Sequence, residues 1–139
     1  MGQQQLLLLV LSLVIVGLAV VVGIQVWNEA SRKDRADDLM NQNVRLAQEA
    51  IQWRGRDEIY GGGGGAGATF DPLASGGLTT MGVSASTLTT EHAIQSASGN
   101  VLEIVGVSTT FPNIGAYVRI QGDDIDSTSI QYDGSITIP

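Results

Sequence analysis

The 139-residue chain has no cysteine, one histidine, seven aromatic residues and no proline before Pro72. Without cysteine there is neither a disulfide framework nor thiolate chemistry, and the redox compartment stays undefined. Basic residues are also scarce at the start: no Lys or Arg precedes Leu6. A secretory signal wants a cationic n-region, a shorter apolar core and a small-residue cleavage site, none of which is present. The Met-Gly opening does not make a myristoylation signal either, because that needs Ser or Thr at position 6, where Leu6 stands.

Basic residues are almost missing from the second part of the chain. Arg32, Lys33, Arg35, Arg45, Arg54 and Arg56 all lie before residue 57, whereas from Asp57 onward nine acids face Arg119 alone. Such a region repels nucleic acid and anionic membranes, so no nucleic-acid partner is expected.

What is abundant is apolar length. Of the 21 residues from Leu6 to Val26, sixteen are Leu, Ile or Val; Ser12, Gly17, Ala19, Gly23 and Gln25 are the exceptions. As a helix the run measures roughly 31 Å, close to the ~30 Å hydrocarbon core of a bilayer. Apolar residues on every side of a helix belong in lipid or in the middle of a bundle. The rest of the chain is too small to surround it as a core helix. Residues 1–26 are therefore expected to be a membrane or filament-core helix, with Leu6, Leu9, Leu13, Val14, Ile15, Leu18, Val22 and Ile24 forming an assembly core. Gly17 and Gly23, flanking Val20–Val22, mark its weak point, since each glycine costs about 1 kcal/mol relative to Ala.

Nothing breaks the helix after Val26. Residues 27–56 read as an amphipathic continuation, and a single helix is expected from about Gln3 to about Trp53, on the order of 75 Å long. Ala36, Met40, Val44, Ala47 and Ile51 recur at spacings of four, four, three and four, with Leu39, Leu46 and Ala50 widening the stripe. This stripe is the expected helix–head packing surface.

"YGGGGGAGATFDPLASGG" ends the helix, and residues 57–77 read as a flexible Gly-rich loop. It is no phosphate cradle, because no Lys-Ser/Thr follows it. The head is expected in residues 78–139. Residues 78–90 read as extended chain, with strands near Ala93–Ser96, at Val101–Val107, at Ala116–Gln121 and around Ile130–Tyr132, where period-two alternation is plain. Asp133-Gly134 is a strong hairpin signal, with Ile136 and Ile138 after it. The predicted fold is α+β: a long continuous N-terminal helix, apolar then amphipathic, packed on a small antiparallel sheet of about four strands. A head of this size is marginal alone, and the helix supplies its missing core.

Residues for chemistry are few. His92 lies in a Ser/Thr-rich region beside Glu91, and neighbours in a strand face opposite ways, so they form no ready dyad. Asp123, Asp124 and Asp126 are weak metal-ligand candidates, since oxygen ligands of that kind hold calcium. Their spacing lacks the calcium-loop pattern, and an acidic turn between strands is the plainer reading. No cofactor is expected and no enzyme activity is indicated.

A membrane-length N-terminal helix, an amphipathic continuation, a loop and a small antiparallel sheet: this architecture resembles that of type IV pilins and pilin-like filament subunits. The resemblance rests on that architecture and on residues 1–26. It implies a subunit stored in the cytoplasmic membrane and extracted by pilus assembly machinery into a helical surface filament, a homopolymer with the helices bundled inside. Bacterial-type pilins carry a glutamate at the fifth mature residue that pairs with a neighbour's N-terminal amine. Counting from Met1, this chain has Gln5 there, and no proline in the apolar half. Arg32, Lys33 and Arg35 would put their side of the span in the cytoplasm by the positive-inside rule, whereas the resemblance implies the opposite orientation. Two alternatives stay open: a single-pass anchored β domain with a binding role, and an accessory pseudopilin of a secretion or uptake apparatus.

The resemblance gives Gln3, Gln4 and Gln5 a role as N-terminal polar contacts, where buried amides need partners. An amide does not ionise, so assembly through them should vary little between about pH 3 and 6, where a glutamate titrates. Replacing all three by Leu should reduce filament yield or disturb subunit register in electron micrographs; unaltered filaments would reduce the glutamines to an interfacial cap.

Overall fold

The computed structural model describes residues 2–65 and 67–139. The element order is α1 (Gly2–Gly55), a 3-10 turn (Glu58–Tyr60), α2 (Asp71–Gly76), a second 3-10 turn (Leu78–Met81), then β1 (Thr90–Ser98), β2 (Val101–Ser108), β3 (Gly115–Gln121) and β4 (Asp124–Gln131). The fold is α+β. By its contacts the chain divides between Asp34 and Arg35 into two compact units.

The first unit is helix alone. Helix α1 has 54 residues in all, with no break at Gly17 or Gly23. Both glycines face open space, with nothing within 4 Å of a Cβ added to either. The large apolar side chains from Leu6 to Val26 are 47–71% exposed. By length and composition α1 can cross a membrane. The one hydroxyl in the run bonds its own backbone, Ser12 Oγ donating to Leu8 O at 2.7 Å, which removes an unsatisfied donor from a lipid-compatible surface.

The second unit is a two-layer head. Its sheet has the order β1-β2-β3-β4, antiparallel throughout. Leu102, Ile104, Ala116, Val118 and Ile120 are buried on one face, with the stripe of α1 over them. That stripe is centred on Ala36, Leu39, Asn43, Leu46, Ala47, Ala50 and Trp53. Of the residues expected to lead it, Ala36 and Ala47 are fully buried, while Met40, Val44 and Ile51 are half-buried at its margin. Spacing alone locates a stripe but not its midline, and Asn43 and Trp53 were hidden by being polar and terminal. Phe70, Leu73 from α2 and Leu78 close the end of the core beside Trp53.

Two bulges keep apolar residues in phase. The β1–β2 register shifts between Ile94 and Ser96, which allows Ile94 and, three residues on, Ala97 both to pack against the core. In β4 the pairing passes from Ser127 to Ile125, skipping Asp126, and brings Ile125 opposite Ile120.

Three expectations are corrected. The glycine run is no slack connector: it folds back on the end of α1, where Gly63 N–H donates to Trp53 O at 2.8 Å and Gly64 N–H to Arg56 O at 3.1 Å. Glycine is required at 63 because a Cβ there would meet the Trp53 ring at 2.8 Å. Residue 66 lies outside the described residues. Residues 78–90 are not simply extended, since they open with the Leu78–Met81 turn, which buries Leu78. Asp133-Gly134 makes no hairpin. β4 stops at Gln131; Asp133 Oδ1 accepts from Ser135 N–H at 2.9 Å, and Gly134 N–H donates to Asn113 O at 3.0 Å. The pair turns the tail onto the β2–β3 loop, where Ile136 occupies the space a side chain at Gly115 would need. Period two alone cannot tell such an extended tail from a strand.

Leu39 is completely buried between sheet and helix. Leu39→Ala should cost the head about 2–5 kcal/mol, read from urea unfolding of the full chain in detergent.

Candidate functional site

In the first unit the feature that stands out is the unburied apolar surface of α1. Leu6, Leu9, Leu13, Val14, Ile15, Leu18, Val22 and Ile24 are each more than half exposed, on every side of the helix. Gln3, Gln4 and Gln5 are exposed at its start, in its first two turns. Trp27, 73% exposed, follows the run.

In the second unit the sequence hid a buried polar cluster. Helix α1 brings Gln42 and Asn43, and β1 brings Thr90 and His92; Asn43, Thr90 and His92 are all buried. Asn43 Nδ2 donates to Ala116 O at 2.9 Å, and its Oδ1 lies 2.6 Å from His92 Nδ1. His92 Nε2 lies 3.0 Å from Thr90 Oγ1 and 3.1 Å from Gln42 Oε1. Gly106, paired with His92 across the sheet, makes the room: a Cβ there would stand 2.6 Å from His92 Nδ1 and 2.8 Å from Asn43 Oδ1. A histidine inside a strand opposite a glycine was the available sequence signal, but the partner lies 49 residues away on a helix. Beside the cluster a cleft of about 370 Å³ opens, with Arg45, Glu49, Thr87 and His92 in its lining.

Burial pulls the His92 pKa below its ordinary 6.5, and the charge of Asp38 opposes this. Glu91 is exposed, as strand alternation requires, and the two form no dyad.

The acidic candidates are spread among different partners. Asp123 forms an ion pair with Arg54, whose guanidinium also lies 4.7 Å from the centre of the Phe70 ring. Asp126, at the β4 bulge, faces Arg119 Nε at 3.8 Å, and Asp124 begins β4. Among the described residues no three acidic or imidazole side chains come together as a metal site. Asp123 and Asp126 are thus ends of two separate ion pairs.

Comparison with family models, with curated proteins and with solved structures finds no match to the chain.

In the folded head His92 holds its proton less tightly than in the unfolded chain. Between the folded pKa and 6.5 the unfolded state therefore binds more protons, and stability rises with pH. Unfolding of the full chain should thus need more urea at pH 7.5 than at pH 5.5, and His92→Gln should flatten that dependence.

Proposed function

We propose that the chain is a structural subunit of a helical, type IV pilus-like surface filament, polymerised through the apolar half of α1. One observation carries this reading: the Leu, Ile and Val side chains between Leu6 and Val26 are exposed, with none of that span buried by the described residues. At about 1.5–3 kcal/mol for each of the sixteen, some 25–50 kcal/mol of apolar surface must be hidden by something outside the chain. Lipid hides it in a stored subunit. Once the subunit leaves lipid, the same segments from many copies hide it in a bundle, without cofactor or covalent bond.

The polymer is an open head-to-tail assembly, in which a protomer presents unlike surfaces to its neighbours. Its partners are other copies of the chain, the membrane before assembly and a machine that extracts the subunit. The work is mechanical and non-enzymatic. The architecture, an apolar helix continuing into the helix that covers a small sheet, supports this reading.

Microscopy of sheared surface material separates the alternatives. Abundant filaments of this chain support the main subunit, trace amounts an accessory one, and their absence an anchored β domain. Val14→Asp should abolish filaments while the head stays folded, because the bundle would have to bury an unpaired charge. Normal filaments from this variant would overturn the role given to the apolar segment.

A further inference from the structure

The polar cluster of the head holds more acceptors than protons. Asn43 is oriented by its bond to Ala116 O, which turns Oδ1 toward His92 and requires the proton on Nδ1. Gln42 is oriented likewise: its Nε2 donates to Asp38 Oδ2 at 3.1 Å, leaving Oε1 to face Thr90 Oγ1 at 2.7 Å and His92 Nε2 at 3.1 Å. An amide oxygen only accepts, and Nε2 of a ring protonated on Nδ1 also only accepts. Both claim the single hydroxyl proton of Thr90. The Thr87 hydroxyl, 2.7 Å from Thr90 Oγ1, is engaged with Thr90 and with the N–H groups of Thr89 and Thr90. One acceptor must therefore find its donor elsewhere, and the cleft that Gln42 and His92 line is the open side. The cluster is one proton short.

We propose that His92 is a proton-operated latch between α1 and β1. With a proton on Nε2, the ring donates to Gln42 Oε1 and the Thr90 hydroxyl is free to serve the same amide. When that proton leaves to solvent through the cleft, Nε2 accepts the hydrogen bond of the Thr90 hydroxyl, and Gln42 loses its inward donor and rotates away. The ring itself stays put, because Asn43 holds Nδ1 and the backbone of Gly106 stands close against that same edge. The movement falls to Gln42, at the edge of the cleft.

Burial lowers the His92 pKa, and few charges stand near enough to oppose or reinforce it. On α1, Asp38 favours the cation, and Arg45 and Glu49 line the same cleft with opposite charges. On β1, Glu91 belongs to the opposite face. β2 presents Gly106, and residues 83–89 carry no charge.

With one histidine in the chain, a ¹³C-labelled imidazole gives one unambiguous NMR signal from the full chain in detergent micelles. In wild type, the Gln42 side-chain amide signals should move with the midpoint of the His92 titration. Gln42→Met removes the cation's acceptor and frees the Thr90 hydroxyl to donate to the neutral ring, so the midpoint should fall by about half a pH unit or more. Thr90→Val removes the neutral ring's donor, so the midpoint should rise by a similar amount. Purely structural hydrogen bonds would not give opposite shifts. Midpoints that move together or not at all would overturn the latch, as would a wild-type Gln42 amide that ignores the titration.

Discussion

A four-stranded antiparallel sheet has an apolar face to bury, and in this head the helix is what buries it. Everything else in residues 35–139 is arranged around that demand. The α1 stripe from Ala36 to Trp53 lies over the inward residues of β2 and β3, and the two bulges exist to keep Ile94, Ala97 and Ile125 turned toward it. The α2 turn and the glycine run finish the same task at one end, where Trp53, Phe70 and Leu73 meet. A sheet this small has no second layer of its own to draw on, so the helix is an integral half of the core.

The same helix sequence obeys a different solvent logic between Leu6 and Val26. There the residues are apolar all round and the hydroxyl of Ser12 is folded back onto Leu8 O, so no polar group faces outward over most of the run. After Asp34 the apolar positions contract to one stripe and charges take the other faces, as in the Arg45–Glu49 pair one turn apart. One element thus carries two hydrophobic programmes in series: one satisfied inside the protomer, the other only outside it.

Periodicity made most of the architecture legible. Unbroken apolar length marked the first half of α1, the spacing from Ala36 to Ile51 marked the second, and alternation in Ala116–Gln121 marked β3. What escaped were features decided by distant partners. Asp133-Gly134 carries a hairpin's local chemistry, but Asn113 takes the Gly134 N–H and the tail leaves the sheet. Five glycines look like slack chain until the Trp53 ring and its carbonyl claim Gly63. The polar cluster escaped for the same reason, since Asn43 on a helix and His92 on a strand have no local signature as a pair. The aspartates at 123, 124 and 126 looked like one cluster in sequence, yet Arg54 and Arg119 draw two of them apart.

The cluster also divides the hydrophobic core in two. Ala36, Leu39, Ile114 and Ala116 pack on one side, and Leu46 through Trp53 with Leu102, Ile104, Val118 and Ile120 on the other. An uninterrupted greasy interface tolerates slippage, because Leu against Ile in one position is nearly as good as in the next. Here, sliding the helix by one turn would bring Leu39 or Ala47 to the place of Asn43. The imidazole, the Asn43 amide and the Ala116 carbonyl would lose their partners together, at about 1–3 kcal/mol for each buried group left unsatisfied. The polar interruption works as the detent in a sliding joint: it adds little to the strength of the contact, and it decides where the contact stops.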